Sequence, residues 1–126
     1  MVLRSYFIQL TIPANTSEGS PVSTGPNNAN SQASVVVPKG VIQYIYPVFP
    51  SGSNGLAFVQ LLLNGAPVFP DSSNASNYFT GNNTPSLQVP VTIVCSAGGN
   101  QLDLQGYNLD TTNAHTISFL LVLETG

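Results

Sequence analysis

Charged side chains are scarce in this sequence. They make up 6% of the 126 residues, where about 25% is typical of soluble domains. Arg4 and Lys39 are the only basic residues, and the formal net charge is −3. Nucleic acids and anionic membranes are bound through several Lys or Arg side chains, so we expect neither as a partner. A surface with so little charge repels copies of itself only weakly.

Tryptophan is absent, and Cys95 is the only cysteine. A single cysteine excludes a disulfide within the chain. Cys95 ends the apolar segment Val91–Cys95, and no cation lies near it in the sequence. We therefore expect a small buried hydrophobic side chain at this position, rather than a reactive thiol or a bridge to another chain.

Long apolar runs and strong helix signals are also missing. No apolar run approaches the ~18 residues of a membrane-spanning helix, and residues 1–6 lack the basic and apolar regions of a signal peptide. Glu, Lys and Arg are rare, and Pro or Gly interrupts most long windows, which disfavours helices. We expect a soluble protein that is made in the cytosol and has almost no helix.

Hydrophobic residues are common, at 42% of the chain, which is sufficient for a core. They alternate with polar residues in short segments. In residues 2–12, Ile8 and Leu10 fall on one face and Gln9 and Thr11 on the other, as in a strand with one buried side. Strands are predicted at residues 2–12, 33–37, 41–49, 56–63, 66–69, 86–95, 101–108 and 115–123.

Turn signals separate these strands. Asn64-Gly65 is the preferred pair of a two-residue type I′ hairpin. Pro47 and Pro90 each predict an edge strand or a bulge, because proline cannot donate to a strand ladder. About eight short strands with such turns predict an all-β domain over residues 1–126, an antiparallel β-sandwich of jelly-roll type.

A long polar loop follows the first strand, at residues 13–32. Loops of this length are unusual inside a compact domain. The segment is either a mobile tip or an extended arm that lies on a neighbouring molecule. In the second case, Asn15, Pro21, Val22 and Asn27 are the candidate contact residues of the arm.

A second loop, at residues 71–85, has Tyr78 and Phe79 in its middle. The two aromatic rings either tuck back and pin the loop or form a contact point for a partner. Asn and aromatic side chains also suit carbohydrate, and many sandwich domains bind sugars. A carbohydrate-binding module is therefore an alternative function.

Two segments are apolar on both faces of their strands, Leu61–Leu63 and Phe119–Leu123. One face of each can enter the core, and the other needs cover from a loop or another subunit. We therefore predict a homo-oligomer, with a trimer favoured over a dimer. The candidate interface residues are Leu61, Leu63, Phe119, Leu121 and Leu123.

Few ionisable residues are available for catalysis. Asp103, Asp110 and His115 form the only set that resembles a catalytic group. Hydrolysis needs a nucleophile beside the histidine, but Ser118 is expected on the opposite face of the strand. We expect Asp110 to cap a turn and His115 to anchor the start of the last strand, and we assign no catalytic residue and no enzymatic activity.

Metal and cofactor signals are weak. Zinc sites need several Cys or His ligands, and the chain has one of each. Residues 108–113 offer oxygen ligands for calcium but lack a dense carboxylate pattern. Residues 52–55 are rich in glycine but precede a predicted strand, whereas phosphate loops precede a helix. We expect no metal and no cofactor.

Three stretches resemble the small virion proteins that decorate or cement the heads of tailed bacteriophages. They are VVVPKGVI at residues 35–42, FPSGSNGLAFVQLLLNGAPVFP at 49–70 and GYNLDTTNAHTISFLLVL at 106–123. The resemblance implies a jelly-roll fold, oligomers where capsomers meet, contact with the major capsid protein and no catalysis. It places the protein on the capsid surface of a virion.

The expected function is therefore that of a structural virion protein, a capsid decoration or cement protein. One alternative is a receptor- or carbohydrate-binding sandwich of a tail fibre or a lectin. The other is a subunit of a non-viral surface array or appendage.

Overall fold

The strands of the structure follow the predicted pattern. The structure, a computed structural model, describes residues 2–25, 33–72, 74, 76–81 and 88–126. In these ranges the regular elements are strands, without a helix. The strands are β1 (Val2–Ile12), β2 (Val22–Ser23), β3 (Val35–Val37), β4 (Gly40–Val48), β5 (Ala57–Leu63), β6 (Ala66–Phe69), β7 (Phe79–Thr80), β8 (Val89–Cys95), β9 (Asn100–Asn108) and β10 (His115–Thr125). All predicted strands are confirmed within the described residues, which leave out residues 86 and 87 of the strand predicted at 86–95. The short strands β2 and β7 are additional.

These strands form two sheets, and every strand pairing is antiparallel. The four-stranded sheet has the order β1-β10-β4-β8. The six-stranded sheet has the order β2-β9-β5-β6, with β3 also paired to β9 and β7 also paired to β5. Because β2 and β3 share one edge of β9, while β6 and β7 share one edge of β5, the second sheet is also four strands wide.

The pairing is that of one long hairpin rolled up on itself. β1 pairs with β10, β2 and β3 pair with β9, β4 pairs with β8, and β5 pairs with β6. Lateral pairing of β10 with β4 and of β9 with β5 completes the two sheets. This is the strand arrangement of a jelly roll, and the predicted antiparallel β-sandwich is confirmed.

The core lies between the sheets and is built from alternate residues of each strand. In β1, Ile8, Leu10 and Ile12 are at most 1% exposed, whereas Phe7 and Gln9 are exposed. Each such burial stabilises the fold by about 1.5–3 kcal/mol. The largest fully buried side chains are Phe49, Phe119, Ile8, Leu10, Ile12, Ile42, Ile45, Leu61, Leu102, Leu104, Ile117 and Leu121.

The predicted hairpin turn between β5 and β6 is confirmed. Asn64 and Gly65 have φ angles of 50° and 88°, and a type I′ turn requires positive φ at both positions. The Asn64 side chain also accepts a hydrogen bond of 2.8 Å from the backbone N–H of Gln101. The turn is therefore attached to the start of β9 in the same sheet.

One of the two prolines predicted to mark an edge or bulge does so. Pro90 lies in β8, the last strand of the four-stranded sheet. Pro47 lies in β4, which is flanked by β10 and β8, and the register shift of β4 lies between Ile42 and Tyr44 instead of at Pro47. Both the edge and the bulge interpretation of Pro47 are therefore wrong. The pairing of β4 with β8 ends at Ile45, and the missing N–H of Pro47 therefore removes no hydrogen bond to β8.

A glycine in β9 permits the close approach of β5 and β1. A Cβ atom on Gly106 would collide with the backbone oxygen of Phe58 and lie 2.9 Å from Val59 Cγ1 and 3.0 Å from Ile12 Cδ1. We predict that Gly106→Ala lowers the free energy of unfolding by about 1–3 kcal/mol through overpacking, as measured by urea denaturation. The control is Gly98→Ala, where a Cβ meets nothing within 4 Å; equal stability of the two variants would contradict the prediction.

Candidate functional site

The outer face of the four-stranded sheet carries six of the nine exposed large hydrophobic side chains of the described residues. We define the outer face as the side chains of this sheet that point away from the core. Leu120, for example, is 37% exposed between the buried Phe119 and Leu121. The exposed large hydrophobic residues on this face are Leu3, Phe7, Tyr44, Val48, Val94 and Leu120. Apolar surface of this extent is typical of an interaction site.

Strand register arranges these side chains in rows across the sheet. Phe7 pairs with Leu120, and Leu120 pairs with Tyr46. In the next row, Val122 pairs with Tyr44. Side chains opposite each other on one face of a sheet lie about 5 Å apart. The first row is therefore apolar across β1, β10 and β4, while the second row has Ser5 at its β1 position and is apolar over β10 and β4.

The two ends of the outer face differ in polarity. At one end the hydroxyl groups of Thr11 and Thr116 are 2.9 Å apart and hydrogen-bonded. At the other end, Glu124 is the only charged residue among the described outer-face strand positions. Its Oε2 accepts a hydrogen bond of 3.4 Å from Gln43 Nε2. The apolar rows lie between a polar strip and a single partnered carboxylate.

The side chains of the predicted interface residues, on β5 and β10, point inward between the two sheets. Leu61, Phe119, Leu121 and Leu123 are at most 1% exposed and belong to the core of the single chain, while Leu63 is partly buried against that core. The predicted interface set is therefore corrected. Both faces of these segments are apolar, and alternation alone does not tell which face points inward.

Outer-face residues that sequence reasoning missed include Phe7, Leu120 and Val122. One sequence signal was present. In β1, Phe7 is an apolar residue between the polar residues Ser5 and Gln9, on the face opposite Ile8 and Leu10.

Asp110 and His115 are close neighbours, as predicted. His115 Nε2 lies 2.8 Å from Asp110 Oδ2. Asp110 Oδ1 accepts backbone N–H bonds of 2.9 Å from Thr112 and 3.2 Å from Asn113, so its predicted role as a turn cap is confirmed. These bonds, first that from Thr112 and then that from His115, lower the pKa of Asp110. His115 is buried at the start of β10, while Ser118 has the opposite strand parity.

Asp103 belongs to a different cluster, in the middle of β9. It is 7% exposed, and its Oδ1 accepts hydrogen bonds from the hydroxyls of Thr24, at 2.7 Å, and Ser34. Its Oδ2 accepts a 2.9 Å bond from Gln101 Nε2. Thr24 follows β2 and Ser34 precedes β3, so this carboxylate holds together both ends of the segment between those strands. The three ionisable residues weighed as a catalytic set therefore act in two separate structural roles.

Tyr78 and Phe79 pack back against the domain, so the first of the two predicted alternatives is confirmed. Phe79 lies in β7, with its ring centroid 5.2 Å from that of Phe69 and 5.9 Å from that of Phe49. The Tyr78 ring packs against the Tyr107 ring in a T-shaped arrangement, with 5.0 Å between the ring centroids. Both rings are only partly exposed and pin their loop to the sandwich.

The predicted arm is in large part attached to its own domain. The backbone N–H of Asn15 donates to the Asp110 carbonyl at 2.8 Å, and Val22 in β2 pairs with Gly106. Pro21, just before β2, is half-buried. The arm prediction is corrected for these residues, while Asn27 lies outside the described residues. A strand of two residues is too short to produce a recognisable alternation.

Cys95 is fully buried, and burial raises the pKa of its thiol. The prediction of a small buried hydrophobic side chain is confirmed. Within the described ranges, no three His, Cys, Asp or Glu side chains are grouped so that they could hold a metal ion. No helix long and apolar enough to cross a membrane occurs in the same part of the chain.

The Asp103 cluster should stabilise the fold. We predict that Asp103→Ala lowers the free energy of unfolding by about 1–3 kcal/mol, because it removes the carboxylate acceptor of the buried Thr24 hydroxyl and of the partly buried Ser34 hydroxyl. Asp103→Asn keeps an acceptor oxygen for the Thr24 and Ser34 hydroxyls, so its free energy of unfolding should fall by less than that of Asp103→Ala. Urea denaturation of both variants measures the difference, and wild-type stability of Asp103→Ala would refute this role.

The Asp110 cap should stabilise the fold in a pH-dependent manner. Its pKa is lower in the folded chain than its ordinary value, so its contribution is present above about pH 4 and is lost as the pH falls through the folded pKa. We predict that Asp110→Asn is less stable than wild type at pH 5 and that the gap narrows at lower pH. Thermal denaturation from pH 5 to pH 2 tests this, with the exposed Glu18→Gln as control; a gap that widens on acidification contradicts it.

Comparison of the chain with protein-family models, with curated proteins and with solved structures finds no match. The functional argument therefore rests on the chain's own surface.

Proposed function

We propose that the chain is a structural virion protein, a decoration or cement protein of a tailed-phage head that acts as a homo-oligomer. The observation that supports this most directly is the apolar outer face of the four-stranded sheet, with Phe7, Leu120 and Tyr44 exposed. A face of this kind is suited to permanent contact with another protein surface.

Physical properties of the domain are consistent with this role. A cement protein stabilises a shell by binding the assembled form better than the free subunits. It needs a rigid body, and the two sheets share a continuous core of buried side chains. Many copies of a cement protein lie close together on the shell. A surface with few charges, such as this one, reduces the electrostatic repulsion between them.

The alternative of a carbohydrate-binding sandwich was based on Tyr78 and Phe79. These rings pack against Tyr107, Phe49 and Phe69, which makes them less available to a sugar. The major capsid protein as partner stays a prediction. The trimer favoured from the sequence is also untested, and the contact inferred below predicts a dimer in its place.

Binding to phage heads tests the proposal. The purified chain is mixed with heads of the encoding phage that lack it, and sedimentation measures the bound fraction. We expect saturable binding and a higher temperature of head disruption, because a ligand stabilises the state that it binds. Free head protein is the control and should bind less.

Two outcomes would contradict the proposal. One is the absence of binding to heads together with selective binding on a glycan array, which favours the carbohydrate-binding alternative. The other is a gene whose neighbours encode fibre proteins, or no viral proteins, instead of capsid, portal and terminase.

A further inference from the structure

We infer that two copies of this chain pack face to face through the outer face of the four-stranded sheet. The inference deepens the proposed function, since it names the surface and the partner of the homo-oligomer. It depends on four properties of the face: its apolar rows, its lack of charge, its area and its polarity gradient.

The side chains on the face match a self-association surface. The rows contain Phe7, Leu120, Tyr46, Val122 and Tyr44. Aromatic residues are enriched in interface cores and charged residues are depleted there. Sheets pack face to face at a spacing of about 10 Å by interdigitating such side chains, as the two sheets already do within one chain.

The electrostatics of the face favour a second copy over a charged partner. Glu124 is the only charged residue among its described strand positions, and it lies at one end, beside Gln43. A partner selected by charge requires complementary charges on the face, and the apolar rows offer none. Two copies meet there with no charge to repel the other in the centre of the contact.

The area of the face is sufficient for a dimer. Four strands spaced about 4.8 Å apart and about ten residues long at 3.3 Å per residue cover roughly 600 Å². This is about one tenth of the 6239 Å² surface of the chain, the share that standard interfaces take from a small protein. Two such faces bury about 1,200 Å², the lower bound for stable complexes.

The polarity gradient selects the symmetry of the pair. A twofold axis that runs across the strands at the level of Leu120 places the Glu124 end of one copy on the Thr11 and Thr116 end of the other, so the two carboxylates stay apart. A twofold contact is self-complementary. Such an axis crosses β10 at the middle of its five outward positions, so the Leu120 side chains of the two copies meet at the centre of the contact.

A charge at the centre of the face tests the inference. Leu120→Glu brings two carboxylates together across the axis, and like charges in an interface cost several kcal/mol. We expect a dimer for the wild type at micromolar concentration and a dissociation constant raised about 100-fold or more in the variant, by light scattering after size exclusion. The matched control is Val36→Glu, at a residue 67% exposed on β3 of the other sheet, which should remain dimeric.

A second variant keeps the test valid if Leu120→Glu fails to fold. In Leu120→Cys, mild oxidation should produce a covalent dimer, because the two introduced thiols approach each other at the axis. Val36→Cys is the control and should stay monomeric on a denaturing gel. The native Cys95 is fully buried and should not cross-link in the folded chain.

The outcomes separate this inference from the proposed function. A monomeric wild type, a trimer, or a dimer that survives Leu120→Glu and does not cross-link through Leu120→Cys overturns the face-to-face pair. Binding of any such species to phage heads would still support a decoration protein. A confirmed face-to-face dimer that does not bind heads leaves the inference standing and refutes the proposed function.

Discussion

The central interaction of this molecule is the pairing of β10 with β1 on one side and with β4 on the other. It joins the two ends of the described chain, since Val2 pairs with Thr125 and Ile12 with His115. The inward side chains of β10 complete the core, among them Phe119 and Leu121. Its outward side chains form the centre of the outer face. Stability and the proposed association therefore depend on opposite faces of one strand.

Hydrogen bonds from uncharged donors connect distant segments of this domain. Asn108 donates through its side-chain amide to the carbonyls of Asn113, at 2.9 Å, and Ile12, at 3.4 Å, which ties a turn to two strands. The Asp103 carboxylate accepts bonds from two hydroxyls and an amide. Bonds of this kind satisfy buried polar groups. They leave the surface nearly uncharged, which suits close packing between copies.

Part of the candidate site was predictable and part was not. The pairing of Asp110 with His115 followed from their separation by one short turn, and the tucked Tyr78 and Phe79 were one of two stated alternatives. The contact of Asp103 with Thr24 and Ser34 was not predictable, because these residues are 79 and 69 positions away from it in the chain. Such contacts form only when segments that are distant in the sequence pair with the same strand, here β9.

By itself the sequence determined the strands, the Asn64-Gly65 turn and the sandwich class, because alternation and turn preferences are local properties of the backbone. Tertiary structure decided which face of each doubly apolar strand points inward, and it moved Phe119 and Leu121 from the expected interface to the core. It also decided that residues 13–25 lie along β9 instead of extending away from the domain. Both outcomes depend on which surfaces the two sheets present to each other, and that is settled only when the whole core packs.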